Sequence, residues 1–96
     1  MTILTDPTIE SVKSELQPHL ACAVELAETV FKPVHPIELD LEVDPDTGQR
    51  RILIEVTVDA SVEQALQMKR AYTSEWVQAA VPPAIRERIR LLYNLL

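Results

Sequence analysis

The chain of 96 residues has one cysteine, one glycine, one tryptophan and few aromatic residues of any kind. A single cysteine, Cys22, excludes an internal disulfide and suits a reducing compartment, so a cytoplasmic location is expected. A single glycine, Gly48, leaves no glycine-rich loop and no obvious linker. No apolar run approaches the roughly 18 residues that a membrane span needs. The opening "MTILTDPTIESVKSEL" has neither the basic start nor the apolar stretch of a signal peptide. Basic residues are scarce as well. Nine of them face fifteen acids, for a net charge of −6. Residues 1–60 carry twelve acids against four bases, whereas residues 61–96 carry three acids against five bases. Such a balance repels nucleic acid and anionic membrane, and it favours a basic protein partner or self-association of the two halves.

What the chain does have is proline, seven residues that punctuate it. Asp6-Pro7 reads as a helix N-cap followed by proline in the first turn. Ile9, Val12, Leu16, Leu20, Ala23, Val24, Ala27 and Phe31 then recur at helical spacing as far as Lys32-Pro33. Pro18 falls inside this run, opposite the apolar stripe. A helix over about 7–31 with a kink at Pro18 is expected, the alternative being a break at Gln17 with a restart at Pro18.

In "ELDLEVDPDTGQRRILIEV", residues 38–56, aliphatic and polar residues alternate on both sides of a Pro-Asp-Thr-Gly connection. Period-two alternation around such a turn predicts an antiparallel hairpin over about 36–58. Pro45 presets φ for the turn and Gly48 supplies a left-handed residue. Closure at Asp44 and Gln49 sets Glu42 opposite Arg51 and Leu41 opposite Ile52. Ile37, Leu39, Leu41, Val43, Ile52, Ile54, Val56 and Val58 then share one face. Ser61 with Gln64 matches a capping box for a helix over about 61–81 that ends at "VPP". A last helix is predicted over about 83–95. The expected fold is a single α+β domain spanning 1–96, ordered α-β-β-α-α, with a two-stranded hairpin whose aliphatic face the helices cover.

The acids of the hairpin invite comparison with a calcium loop. Counted from Asp44, Asp46 takes the third position and Glu55 the twelfth. Gly48 then occupies a ligand position, Gln49 takes the place of the required glycine, and Glu55 lies on a strand instead of a helix. A solvated sheet face, or one that docks a basic partner, accounts for these acids better. His19 and Cys22, three apart, supply at most half a zinc site. No cofactor, metal ligand or catalytic residue is assigned.

Lys69 and Arg88 fall within apolar arcs of their predicted helices. Each must therefore extend its head to the rim or meet a carboxylate, with Glu55, Glu42 and Asp40 as candidates. Arg86 and Arg90 read as part of a solvated helix face. In "IRLLYNLL", Leu91, Tyr93 and Leu95 widen the apolar arc beyond half the wheel, which predicts a homodimer through the last helix. The expectation for function is a non-catalytic protein-interaction module. Its contacts would be Glu38, Asp40 and Glu42 on the hairpin, Lys69 and Arg88 beside it, and Leu91, Tyr93 and Leu95 at the end of the chain. Two other readings are an antitoxin-like neutralising partner of a basic protein, and a small enzyme holding a divalent metal on Asp40, Glu42, Asp44 and Glu55.

Overall fold

A computed structural model describes residues 7–96 as a small α+β domain of four helices and a three-stranded mixed sheet. The elements are α1 (Pro7–Leu16), α2 (His19–Phe31), β1 (Glu38–Val43), β2 (Arg50–Val58), α3 (Val62–Gln78), α4 (Pro83–Arg86) and β3 (Ile89–Leu95). Asp6, the expected N-cap, lies outside the described residues.

The predicted kinked helix is divided in two. Pro18 has no N–H to donate, so helical bonding stops at Leu16 and resumes at His19. The side chain of Gln17 accepts a hydrogen bond from Ala21 N–H at 3.1 Å, which caps the new first turn. The apolar stripe survives the interruption. Val12, Leu16, Leu20, Ala23, Ala27 and Phe31 are all buried against the sheet and the other helices.

The hairpin forms in the expected register, with Glu42 opposite Arg51 and Leu41 opposite Ile52. Asp44 N–H donates to the Gln49 carbonyl at 2.9 Å, and Gly48, at φ 74°, donates back to the Asp44 carbonyl at 2.8 Å. Asp44 also secures the turn from its side chain, accepting from the N–H groups of Asp46 and Thr47. These two backbone donors hold the Asp44 carboxyl below its ordinary pKa. On β2, Ile52, Ile54, Val56 and Val58 are each at most 1% exposed. On β1, Leu39 and Leu41 are half-buried and Val43 is exposed. The aliphatic face is shared, but within the hairpin β2 supplies the fully buried side chains.

The capping box at Ser61 is present in full: Ser61 Oγ accepts from Gln64 N–H, and Gln64 Oε1 accepts from Ser61 N–H. α3 stops at Gln78, sooner than expected, because Ala80 turns into the left-handed region (φ 56°) ahead of Val81 and Pro82. The largest departure follows. Only Pro83–Arg86 is helical, and residues 89–95 form a strand parallel to β2, from Ile52 beside Ile89 to Val58 beside Leu95. "IRLLYNL" satisfies a period of two as well as it satisfies a helical arc. Ile89, Leu91 and Tyr93 turn to the helices, and Arg90, Leu92 and Asn94 turn away. A short apolar run is ambiguous between the two periods. The bare second edge of β2 decides it, because a third strand pairs backbone groups that a helix would leave open.

The four aromatic residues knit β3 to the helices. Tyr93 stacks on Phe31 of α2 at 6.2 Å, Phe31 meets Tyr72 of α3 at 6.0 Å, and Tyr72 stacks on Trp76 at 6.4 Å. These spacings lie within the favourable range for aromatic pairs. Burial among them pushes the Tyr72 phenol up to about 12 from an ordinary value near 10.

Candidate functional site

Among the described residues, helices cover one side of the sheet only. The other side is open, and alternation places on it Glu38, Asp40 and Glu42 from β1, Arg51, Leu53, Glu55 and Thr57 from β2, and Arg90, Leu92 and Asn94 from β3. The strands set these side chains in rows. Glu42 faces Arg51, Asp40 faces Leu53 with Arg90 beyond it, and Glu38 faces Glu55 with Leu92 beyond it.

The two ends of this face differ in charge balance. At one end Glu42 is clamped between arginines. Its Oε1 accepts from Arg90 Nη1 at 2.8 Å, across the width of β2, and lies 3.3 Å from Arg51 Nε. Arg51 Nη2 also donates to Asp44 Oδ2 at 3.3 Å. At the other end Glu38 and Glu55 stand directly opposite each other, and among the described residues neither they nor Asp40 meets a cation within 4 Å. Opposed like charges on neighbouring strands are destabilising. Leu53 is half-buried between these charges and Leu92 is 44% exposed, so an apolar centre adjoins an unneutralised acidic end.

Of the residues singled out from the sequence, Glu38, Asp40 and Glu42 do lie together on this open face. Arg88 does not. Its expected partners were Glu55, Glu42 and Asp40, yet its Nη1 donates to Glu15 of α1 at 3.0 Å and its Nε to the Arg50 carbonyl at 2.9 Å. The arginine draws the Glu15 carboxyl below its ordinary pKa, by hydrogen bonding first and by charge second. Arg88 is therefore a tie between α1 and the start of β3. Lys69 is half-buried at the rim of α3 and makes no ion pair with the described residues. The apolar arc expected around it is narrower than the wheel implied: Ala65, Tyr72 and Trp76 are buried, while Val62, Leu66 and Val77 are exposed.

Leu91 and Tyr93 point into the core and Leu95 is 38% exposed, so the wide helical arc that argued for a homodimer is divided between two sides of a strand. Arg90, expected on a solvated helix face, instead bridges to Glu42. The sequence groups Glu55 with these acids only as a candidate metal ligand or ion-pair partner, and Leu92 was not recognised as their neighbour. Reading residues 89–95 at period two would have placed Arg90 and Leu92 on their side.

The carboxylates proposed for a metal are committed elsewhere or spread apart. Asp44 is held by backbone donors and Arg51, Glu42 by two arginines, and Asp40 Oδ1 accepts from Leu41 N–H at 2.9 Å. Among the described residues no three His, Cys, Asp or Glu side chains converge as a metal-binding group. Likewise, no described helix is long and apolar enough to cross a membrane. No protein-family model, curated protein or solved structure matches the chain.

Proposed function

We propose that this protein is a non-catalytic interaction module that docks a basic partner on the open face of its sheet. The observation that carries the reading is the directly opposed Glu38–Glu55 pair, unneutralised beside Leu53 and Leu92, on a sheet whose other face packs against the helices. A monomer gains nothing in stability from placing two carboxylates opposite each other, whereas an incoming lysine or arginine relieves their repulsion and gains two acceptors. Leu53 and Leu92 supply the apolar centre that a charged rim would surround. The clamp of Arg51 and Arg90 on Glu42 fixes the far end of the face and leaves Asp40, Glu38 and Glu55 as the attracting end.

The test is affinity capture with the wild-type chain and with a Glu38→Lys, Glu55→Lys double variant, in low and in physiological salt. Partners that are lost on charge reversal and weakened by salt are expected. A set of bound proteins identical for the two chains would remove the acidic end from the account. Circular dichroism on both chains establishes that the variant is folded.

A further inference from the structure

A second surface lies on a different side of the molecule and is independent of the open face. Among the described residues β3 is an edge strand, paired with β2 on one side only. Ile52 N–H donates to the Arg88 carbonyl at 2.8 Å, and Leu96 N–H donates to the Val58 carbonyl at 3.1 Å. In a parallel ladder of that phase the even-numbered residues of β3 spend their backbone groups on β2, and Leu91, Tyr93 and Leu95 present theirs to the free side. The three residues marked in the sequence for their side chains thus matter for their backbone. Acids and flanking prolines protect the β1 edge, with Glu38, Asp40 and Glu42 along it and Pro36 and Pro45 beside it. The β3 edge has no proline and no acid.

Beside this edge runs a groove of about 350 Å³ between α3, α4 and β3. Tyr72, Trp76 and Leu91 contribute apolar surface to it, and Lys69 and Arg86 contribute its free charges; Arg90 also borders it, but its guanidinium is on the open face with Glu42. No carboxylate lines it, in a chain where acids outnumber bases fifteen to nine. Neither Lys69 nor Arg86 makes an ion pair with the described residues.

We propose that the β3 edge and this groove together take an extended acidic strand from another polypeptide. Backbone pairing with Leu91, Tyr93 and Leu95 would supply affinity, as in other cases of strand addition. Alternate side chains would then fall towards the groove, where aliphatic residues meet Tyr72 and Trp76 and carboxylates reach Lys69 and Arg86. A second copy of the chain suits the site less well. Joining two β3 edges about a two-fold axis brings the cations of both grooves to one seam.

Trp76 is the only tryptophan and lines the groove, so its fluorescence reports directly on occupancy. The probe is a synthetic peptide, EVDVEVD, titrated into the whole protein, with KVKVKVK as its counterpart. A saturable change in emission is expected with the acidic peptide only, weakened by salt. The Lys69→Glu, Arg86→Glu double variant should bind at least about tenfold more weakly. Leu95→Pro removes one outward N–H without touching the ladder to β2 and should weaken binding too. Glu38→Lys, on the open face, should leave it unchanged, so failure here and failure of the docking face are told apart. Absence of a saturable response overturns the proposal, as does equal binding of the lysine peptide or indifference to charge reversal. Light scattering that shows a dimer dissociated by Leu95→Pro would give the edge to a second copy instead.

Discussion

The two faces of one sheet obey different rules here. On the side under the helices, Ile52, Ile54, Val56 and Val58 are sealed from water and touch α1, α2 and one another. On the other side, Arg51, Leu53, Glu55 and Thr57 come from the same strand in alternation, yet each is half-exposed, and the first three lie among charged neighbours. Backbone and register are common to both, so the difference is entirely one of side chains. The covered face is optimised for stability. The open face contains a like-charge pair that stability alone would remove.

The largest test of that contrast is a pair of truncations. Ile54→Ala should cost about 2–5 kcal/mol, from lost transfer energy and the cavity left behind. Leu53→Ala, one residue away on the open face, should cost less than about 1 kcal/mol. Urea denaturation of both variants measures the difference, and equal losses would show that the open face is as much a core as the covered one.

Alkaline pH probes the covered side next. The folded Tyr72 phenol ionises near 12 and an unfolded one near 10, so the unfolded chain gives up its proton first. Stability is full below pH 10 and falls by about 2–3 kcal/mol as pH rises towards 12. Tyr72→Phe should flatten that part of the pH–stability profile.

The turn that keeps the two faces apart comes third. Gly48 has φ 74° and open space around its Cα, so Gly48→Ala should cost about 1 kcal/mol through backbone strain alone. On the open face the sign reverses. Glu38→Gln relieves the repulsion with Glu55 and should raise stability by about 0.2–1 kcal/mol while weakening any basic partner. A thermal melt shows whether it does. A loss of stability would mean that the glutamate pair is structurally supported. Acid gives the smallest effect. The folded pKa values of Glu15 and Asp44 are depressed, so their contribution is present above the ordinary carboxylate range and disappears as pH falls through and below it. Asp44→Asn should blunt this acid sensitivity.

Much of this arrangement was legible in the residues. The hairpin register, the closing turn, the capping box of α3 and the apolar stripe through α1 and α2 all follow from local patterns, because each is fixed by residues within a few positions of one another. What was not legible depended on distant partners. Residues 89–95 suit either period, and the choice is made by the second edge of β2, far away in sequence. The site shares that history: Glu38, Asp40 and Glu42 were visible as a row, but Arg90 and Leu92 joined them only once β3 was a strand. Arg88 was noticed as an unusual charge and assigned the wrong carboxylates, because nothing in the sequence brings Glu15 to it.

The parallel pairing of β3 also sets an order of assembly. β1 and β2 can zip across a short turn, whereas β3 must wait for residues 59–88 to fold back over the sheet. During synthesis β2 is complete well before its third strand exists. In that interval its far edge is unsatisfied, and a strand from elsewhere could seat there first. Ile89–Leu95 therefore closes an edge of β2 that only a long crossover can reach.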